Sequence, residues 1–574
     1  KTDFSAFSCS DLDRALDAFE CDTLIIAGVY LHGCVRATAL DAYARRFDVW
    51  IAEDAVGSDE RLHAAATQRY LEGRAARFFP VSRILGRLSN GSRPSRPGAE
   101  PLPAAIIAGQ PRRDGSRPEL AQISPRRREE ILFAVPSAGP AIAADAAAAA
   151  GSAQRAWARR PFAERANAVE RLAAALERDA INLAKQMALE IGKPVSMGEA
   201  EVRRAVALLR AAAALTESEP RRCGPESFSR RRPLGVVAAV TPWNNPVAIP
   251  AGKIGPALLF GNSLVWKPAP AATRISLHLM GLLREAGLPD GVVNLVAGGR
   301  EAASAVLASP GISAATLSGS SRSGFAAQEI CSGRRIPLQA ELGGNNAAIV
   351  WEGSDLRSAA GLIARGAFEF AGQRCTANRR VIVGAERKDR LVEELVEAAG
   401  RIQWQDPVRP ESEAGPLISD EACDRVAGVL RRASDHSAAV IACGHDAFAS
   451  LRELGSYHPP ALVVDPDPSS EVVQEETFGP VLVVQTAADF DHALELVNGV
   501  PQGLVGALFG GSDEERARFL DDAAVGIVKL DQSTANADAA APFGGWKSSG
   551  VGPPEHGAAA REFFTREQAV YHSP

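Results

Sequence analysis

"LGVVAAVTPWNNP", residues 234–246, carries a short apolar, β-branched run straight into a proline-bounded turn. A run of that length between glycine and proline signals reads as a buried strand. The helically spaced "GKIGPALLF" follows, and the pattern then repeats. "SLVWKP", "VVNLVAG", "AATLSGS" and "NAAIVW" read as strands, with "RISLHLMGLLREAG" and "EAASAVLA" as helices between them. Residues 234–350 are therefore expected to form an open α/β sheet with crossover helices. A second α/β segment is expected from about 360 to 530. Upstream, residues 145–215 place Ala, Leu, Arg and Glu at helical spacing, broken at "EIGKP" by Gly192 and Pro194. Further forward, "CDTLIIAGV", "CVRATALDAYARR" and "FDVWIAED" make one β-α-β unit of a parallel sheet. Between these regions "GRLSNGSRPSRPGAEPLP" has no hydrophobic period and reads as a linker. No internal repeat is visible.

A chain of 574 residues exceeds one hydrophobic core and suggests three or four domains. Its 46% hydrophobic and 23% charged residues are an ordinary globular balance. A formal charge of −6 without a basic stripe argues against nucleic acid. The 8 cysteines include no CxxC pair, so neither a disulfide framework nor a metal site is expected, and a cytoplasmic setting fits. The Ala-rich stretch "AIAADAAAAAGSAQRAW" is broken by Asp145 and ends in charge, which excludes a membrane span there. No secretory signal is visible.

Several stretches sit where chemistry is done. Ligands of open α/β sheets gather at the carboxyl ends of strands. Asn244 of "TPWNNP", Lys267 of "WKPAP" and the Gly-Ser loop "SGSSRSG" all follow strand-like runs. That loop is not the G-x-G-x-x-G fingerprint, although a helix opening there could seat a phosphate. Glu341 precedes a Gly-Gly bend in "ELGGNN". Cys375 in "FEFAGQRCTANRRVIV" lies between arginine and threonine rather than among the aliphatic neighbours of a structural thiol. Taken singly, each has a bland reading: a turn, a solvated acid, an inert thiol.

In order, "TPWNNP", "KPAP", "SGSSRSG", "ELGGNN", "GQRCT", "EETFGP" and "PFGGWKSSG" form a series that resembles the aldehyde dehydrogenase superfamily over roughly residues 102–574. The resemblance implies an atypical Rossmann NAD(P)-binding domain over 102–340 and an α/β catalytic domain over 341–545. It also implies a β-arm near 215–233 that joins the C-terminal 546–574 in assembling a homodimer or homotetramer. It makes Cys375 the nucleophile toward an aldehyde, Asn244 the oxyanion-hole residue and Glu341 the general base. It assigns cofactor contacts to Trp243, Lys267, Gly319, Ser320, Glu476 and Phe478. Keeping Glu341 favours release of the acid to water rather than transfer to coenzyme A. Pro270 stands where many NAD-preferring relatives place a glutamate, so the cofactor is expected to be NAD or NADP. "ELGGNN" with "GQRCT" looks like the branch acting on N-succinylglutamate semialdehyde, and "PFGGWKSSGVGPPEHGAAAREFF" like that acting on 2-oxoglutarate semialdehyde. A polar semialdehyde carrying a distant carboxylate is the expected substrate.

Residues 1–85 resemble a second family, the isochorismatase-like cysteine hydrolases, through "KTDFSAFSCSDLDRAL" and "LIIAGVYLHGCVRATALDAY". The resemblance implies Cys34 as a nucleophile at a helix start and Lys1 as its partner. The aspartate completing that set belongs upstream of Lys1, so a truncated hydrolase is expected. A longer form would also cleave an amide or isochorismate-like bond through Cys34. Residues 86–101 are the expected linker between the two.

Overall fold

The computed structural model describes residues 5–8, 12, 16, 23–45, 47–72, 75–85, 100–113, 119–217, 219–436, 438–443, 447–535 and 537–571. The chain divides into two compact units, residues 1–98 and 99–574.

In the first unit the strand Asp48–Gly57 lies between Thr23–Val29 and Arg77–Phe79, all parallel. The helices Arg36–Ala44 and Arg61–Leu71 connect them. Val35, Ala39, Ala42, Ile51 and Leu71 fill the core, so the β-α-β unit read from the sequence is present. Cys34 falls in a short helical turn, Leu31–Val35, that leads into the first of these helices. Lys1 lies outside the described residues, as does the expected linker up to residue 99. Its last two residues correct the expectation: Glu100–Pro101 is a strand beside Ile131–Pro136. It lies at the edge of a three-stranded sheet, where the missing proline N–H breaks no ladder.

The second unit carries the helices Pro140–Arg159, Phe162–Arg178, Ala180–Ile191 and Val195–Ala213. Gly192 ends the third with φ of 71°, and a Cβ there would lie 2.6 Å from Pro416 Cγ, so only glycine fits the stop. Two sheets follow. The first is eight-stranded, and its five central strands are parallel in the order Leu338–Glu341, Ala314–Ser318, Val236–Thr241, Ser263–Pro268 and Val293–Val296. Val237, Ala238 and Ala239 are fully buried, which explains an apolar run without alternation. The second sheet is seven-stranded with Arg380–Gly384 at its centre, flanked by Val481–Ala487 and Ala347–Val350. Its strands therefore begin at 347, ahead of the expected 360.

The C-terminal region divides between two partners. Gly550–Val551 pairs antiparallel with Leu338–Glu341, so part of the expected tail belongs to the first sheet. Thr565–Tyr571 pairs antiparallel with Ser227–Pro233, with Phe228 opposite Val570. Among the described residues no helix is long and apolar enough to cross a membrane.

Candidate active site

Four of the sequence-selected stretches meet at one edge of the eight-stranded sheet. Asn244 follows Val236–Thr241, Lys267 lies in Ser263–Pro268, Gly319 and Ser320 follow Ala314–Ser318, and Glu341 ends Leu338–Glu341. In chain order the strands step one way from 236 to 293, then continue from 314 on the other side of 236. That reversal makes a switch point, and a crevice opens at the carboxyl ends of the strands beside it.

Cys375 arrives from the second sheet, in the loop ahead of Arg380–Gly384. Asn346, which stands immediately before Ala347–Val350, ties the thiol loop down: its Nδ2 donates to the Cys375 and Ala377 carbonyls, both at 2.8 Å. Asn244 Nδ2 donates to the Gln373 carbonyl at 3.0 Å, joining the first sheet to the same loop. Trp243, Asn244, Gly319, Ser320, Glu341, Cys375, Glu476 and Phe478 all line one cavity of about 1270 Å³. Lys267 is not among its lining residues, and Cys34 belongs to the first unit. Trp243 meets Phe370 and Phe478 edge-on, with centroids 6.2 and 6.0 Å apart.

Glu341 is only 7% exposed, not the solvated acid of its bland reading, and its Oε2 has no hydrogen-bond partner among the described residues. Burial and the neighbouring Glu555 carboxylate push its pKa well above the usual carboxylate range, against the opposing pull of Lys253 and the Gly545 amide. Lys253 is fully buried, pairs with Glu555 and donates to Thr316 Oγ1 at 2.9 Å. The Cys375 thiol, half-buried, is pushed up to about 12 by desolvation and by the Glu476 and Glu341 carboxylates, while Arg204 pulls it down. Burial raises Glu476 to about 7, opposed by Arg379. At Gly344 a Cβ would lie 2.6 Å from the Cys375 carbonyl oxygen, so the bend next to Glu476 comes too close to the thiol loop for a side chain.

Three further features fit a dinucleotide. The helix Ser321–Arg334 opens at Gly319 and Ser320, presenting its first amides where a pyrophosphate can sit. Lys267, lowered to about 8 by burial, has no partner among the described residues and suits a ribose hydroxyl. Glu476 is held beside the Gly343–Gly344 bend, with the Gly344 amide 3.4 Å from its Oε1.

Sequence reasoning missed Lys193, Glu201, Arg204, Lys253, Asn346 and Glu555. Glu201 Oε1 accepts from the Val247 and Ala248 amides at 2.8 and 3.1 Å, and its other oxygen pairs with the buried Lys193. "GKP" beside a helix bearing glutamate was the available signal. Lys253 and Glu555 had none, since their pairing joins residues 302 apart.

Residues 112–570 match the aldehyde dehydrogenase family, and residues 1–81 match the isochorismatase domain. The alpha-ketoglutarate semialdehyde dehydrogenase of Haloferax volcanii is 34% identical over 460 residues, covering 78% of this chain and 95% of that protein. The N-succinylglutamate 5-semialdehyde dehydrogenase of Erwinia tasmaniensis is 34% identical over 433 residues, covering 73% and 86%. The crystal structure of an NAD-dependent aldehyde dehydrogenase from Sinorhizobium meliloti superposes with a TM-score of 0.78 at 27% identity, covering 84% of this chain and 97% of that one. The chain belongs to the aldehyde dehydrogenase family and is an NAD(P)-dependent aldehyde dehydrogenase, with an isochorismatase-domain segment at its front.

Proposed function

We propose that the second unit oxidises a carboxylate-bearing semialdehyde to the corresponding acid, with Cys375 as the nucleophile. The observation that carries this reading is the convergence of Cys375, Asn244 and Glu341, from two different sheets, on one cavity. Asn244 Nδ2 carries two hydrogens and spends one on the Gln373 carbonyl. The other is available, with the Cys375 amide, to an oxyanion. The Cys375 S–H proton leaves to solvent as the sulfur–carbon bond forms, the carbonyl π pair moves to oxygen, and each such donor lowers the barrier by about 3 kcal/mol. A nicotinamide cofactor, when bound, supplies the two-electron oxidation that turns this adduct into a thioester. Glu341, with its free oxygen and raised pKa, then takes a proton from water. The water attacks the acyl carbon, the sulfur–carbon bond breaks, and the acid leaves. Cys375→Ala should abolish aldehyde-dependent formation of reduced cofactor, and undiminished turnover would reject the assignment.

The substrate class rests on the two relatives named above, both of which act on semialdehydes of acids. For the cofactor, the short turn Pro270–Ala272 presents no carboxylate three residues past Lys267, so a 2′-phosphate would meet no repulsion, and NADP is accepted along with NAD. The paired strands Ser227–Pro233 and Thr565–Tyr571 serve as the arm that joins subunits. Free thiols at Cys34, Cys223, Cys331, Cys375, Cys423 and Cys443 fit a cytoplasmic setting.

A second activity is favoured by the match of residues 1–81 to the isochorismatase domain. Cys34, at the turn into Arg36–Ala44, is its nucleophile toward an amide or isochorismate-like bond. Hydrolysis that persists in Cys34→Ala would end that reading.

A further inference from the structure

We infer that Arg204 is the residue that selects the substrate, by gripping the carboxylate at the far end of an aliphatic aldehyde. This inference rests on the aldehyde-oxidising role proposed for the cavity. Five cations line it, and three are already spent. Lys193 pairs with Glu201, Arg365 with Glu369 and Glu413, and Arg374 with Glu369. Of the remaining two, Arg425 faces Glu476, in the region of the predicted cofactor contacts. Arg204 has no ion pair among the described residues and makes one hydrogen bond, from Nη1 to the Ala537 carbonyl at 2.8 Å. The acidic groups that act on it are committed or exposed: both Glu201 oxygens are occupied, and exposed Asp538 accepts from the Ala540 amide.

The surroundings of Arg204 define the rest of the ligand. On the helix Val195–Ala213, Ala200, Arg204, Ala207 and Leu208 face the cavity from successive turns. Ile249 and Phe543 also line it. This is an apolar wall interrupted by one unpaired guanidinium. A half-buried charge with four of its five N–H donors unused is costly until an anion arrives. A carboxylate meets the guanidinium fork with two parallel hydrogen bonds, and the methylene chain between carboxylate and aldehyde lies along the alanines and leucine. The charge of Arg204 is also felt at Cys375, so the grip and the reacting sulfur belong to the same space. Arg204 binds substrate and takes no part in bond making.

The test compares glutaric semialdehyde, pentanal and 5-(trimethylammonio)pentanal, whose quaternary nitrogen cannot cyclise onto the aldehyde, as substrates of the full chain with saturating cofactor. In Arg204→Met the ratio of kcat/KM for glutaric semialdehyde over pentanal should fall by roughly a hundredfold, mainly through KM. Arg204→Glu should reverse the preference toward 5-(trimethylammonio)pentanal. Arg204→Lys, which keeps the charge and loses the fork, should recover part of the ratio. Calorimetric binding of glutarate, the oxidation product, should be lost in Arg204→Met. An unchanged ratio in the Met and Glu variants overturns the assignment, as does an equal loss on all three aldehydes in both the Met and Lys variants. Wild-type protein that oxidises none of the three would instead reject the underlying reading of the cavity.

Discussion

The side-chain amide of Asn244 donates to the backbone carbonyl of Gln373, two residues ahead of Cys375, at 3.0 Å. This bond joins the end of a strand in one sheet to the thiol loop of the other. It fixes the amide that would face a developing oxyanion relative to the sulfur that creates it. Asn244→Ala should lower kcat by about 10²- to 10³-fold with little change in KM. Steady-state kinetics decide it, and a loss confined to KM would place Asn244 in ground-state binding instead.

The surroundings of Cys375 favour its uncharged thiol. Desolvation and two nearby carboxylates hold Cys375 at about 12, so little thiolate exists at neutral pH. Alkylation of Cys375 by iodoacetamide should be slow at pH 7 and climb about tenfold per pH unit toward the alkaline side. Bound cofactor should change that rate. Mass-spectrometric mapping follows Cys375 alone, and rapid labelling at neutral pH would contradict the desolvated setting.

As the proposed base Glu341 would act deprotonated, and burial together with the Glu555 carboxylate raises its pKa in the folded chain. Acid release should therefore increase with pH through that raised value rather than through the ordinary carboxylate range. In Glu341→Gln the limb should vanish, leaving a burst of reduced cofactor followed by slow turnover. Stopped-flow absorbance separates the two phases. A normal steady state in the variant would remove Glu341 from the reaction.

Lys193 and Glu201, each 3% exposed at the side chain, form a pair that also caps Ala248–Leu259 through the Val247 and Ala248 amides. Glu201→Gln would leave the ammonium buried beside a neutral amide, at a cost of about 3–5 kcal/mol. The apparent Tm should fall clearly. Replacing both members with apolar residues of similar volume should cost less than the single change.

Deleting residues 565–571 removes the strand that pairs with Ser227–Pro233. The exposed edge would then lack its partner, and an assembly built through this arm should dissociate. Light scattering reports the mass, and an unchanged mass would separate the arm from assembly.

Much of this was legible beforehand because it is local. "SLVWKP" predicts a strand and is one, Ser263–Pro268, since an apolar run closed by proline leaves few alternatives. "EIGKP" predicts a helix stop and Gly192 makes it, because only glycine takes that backbone angle beside Pro416. Cys375, Asn244 and Glu341 were visible as residue types set in motifs. Gly550–Val551 was not: two residues carry no period, and their pairing with Leu338–Glu341 is a long-range choice.

The amino-acid order by itself determined the alternation of strands and helices and the family, and it singled out the groups proposed to react, because propensity, turn chemistry and motif spacing all act over a few residues. Tertiary structure alone decided which charges are spent. Lys253 finds Glu555 and Lys193 finds Glu201, while Arg204 has no ion pair among the described residues. Pairing and desolvation depend on neighbours brought together from distant parts of the chain, and no local pattern encodes them.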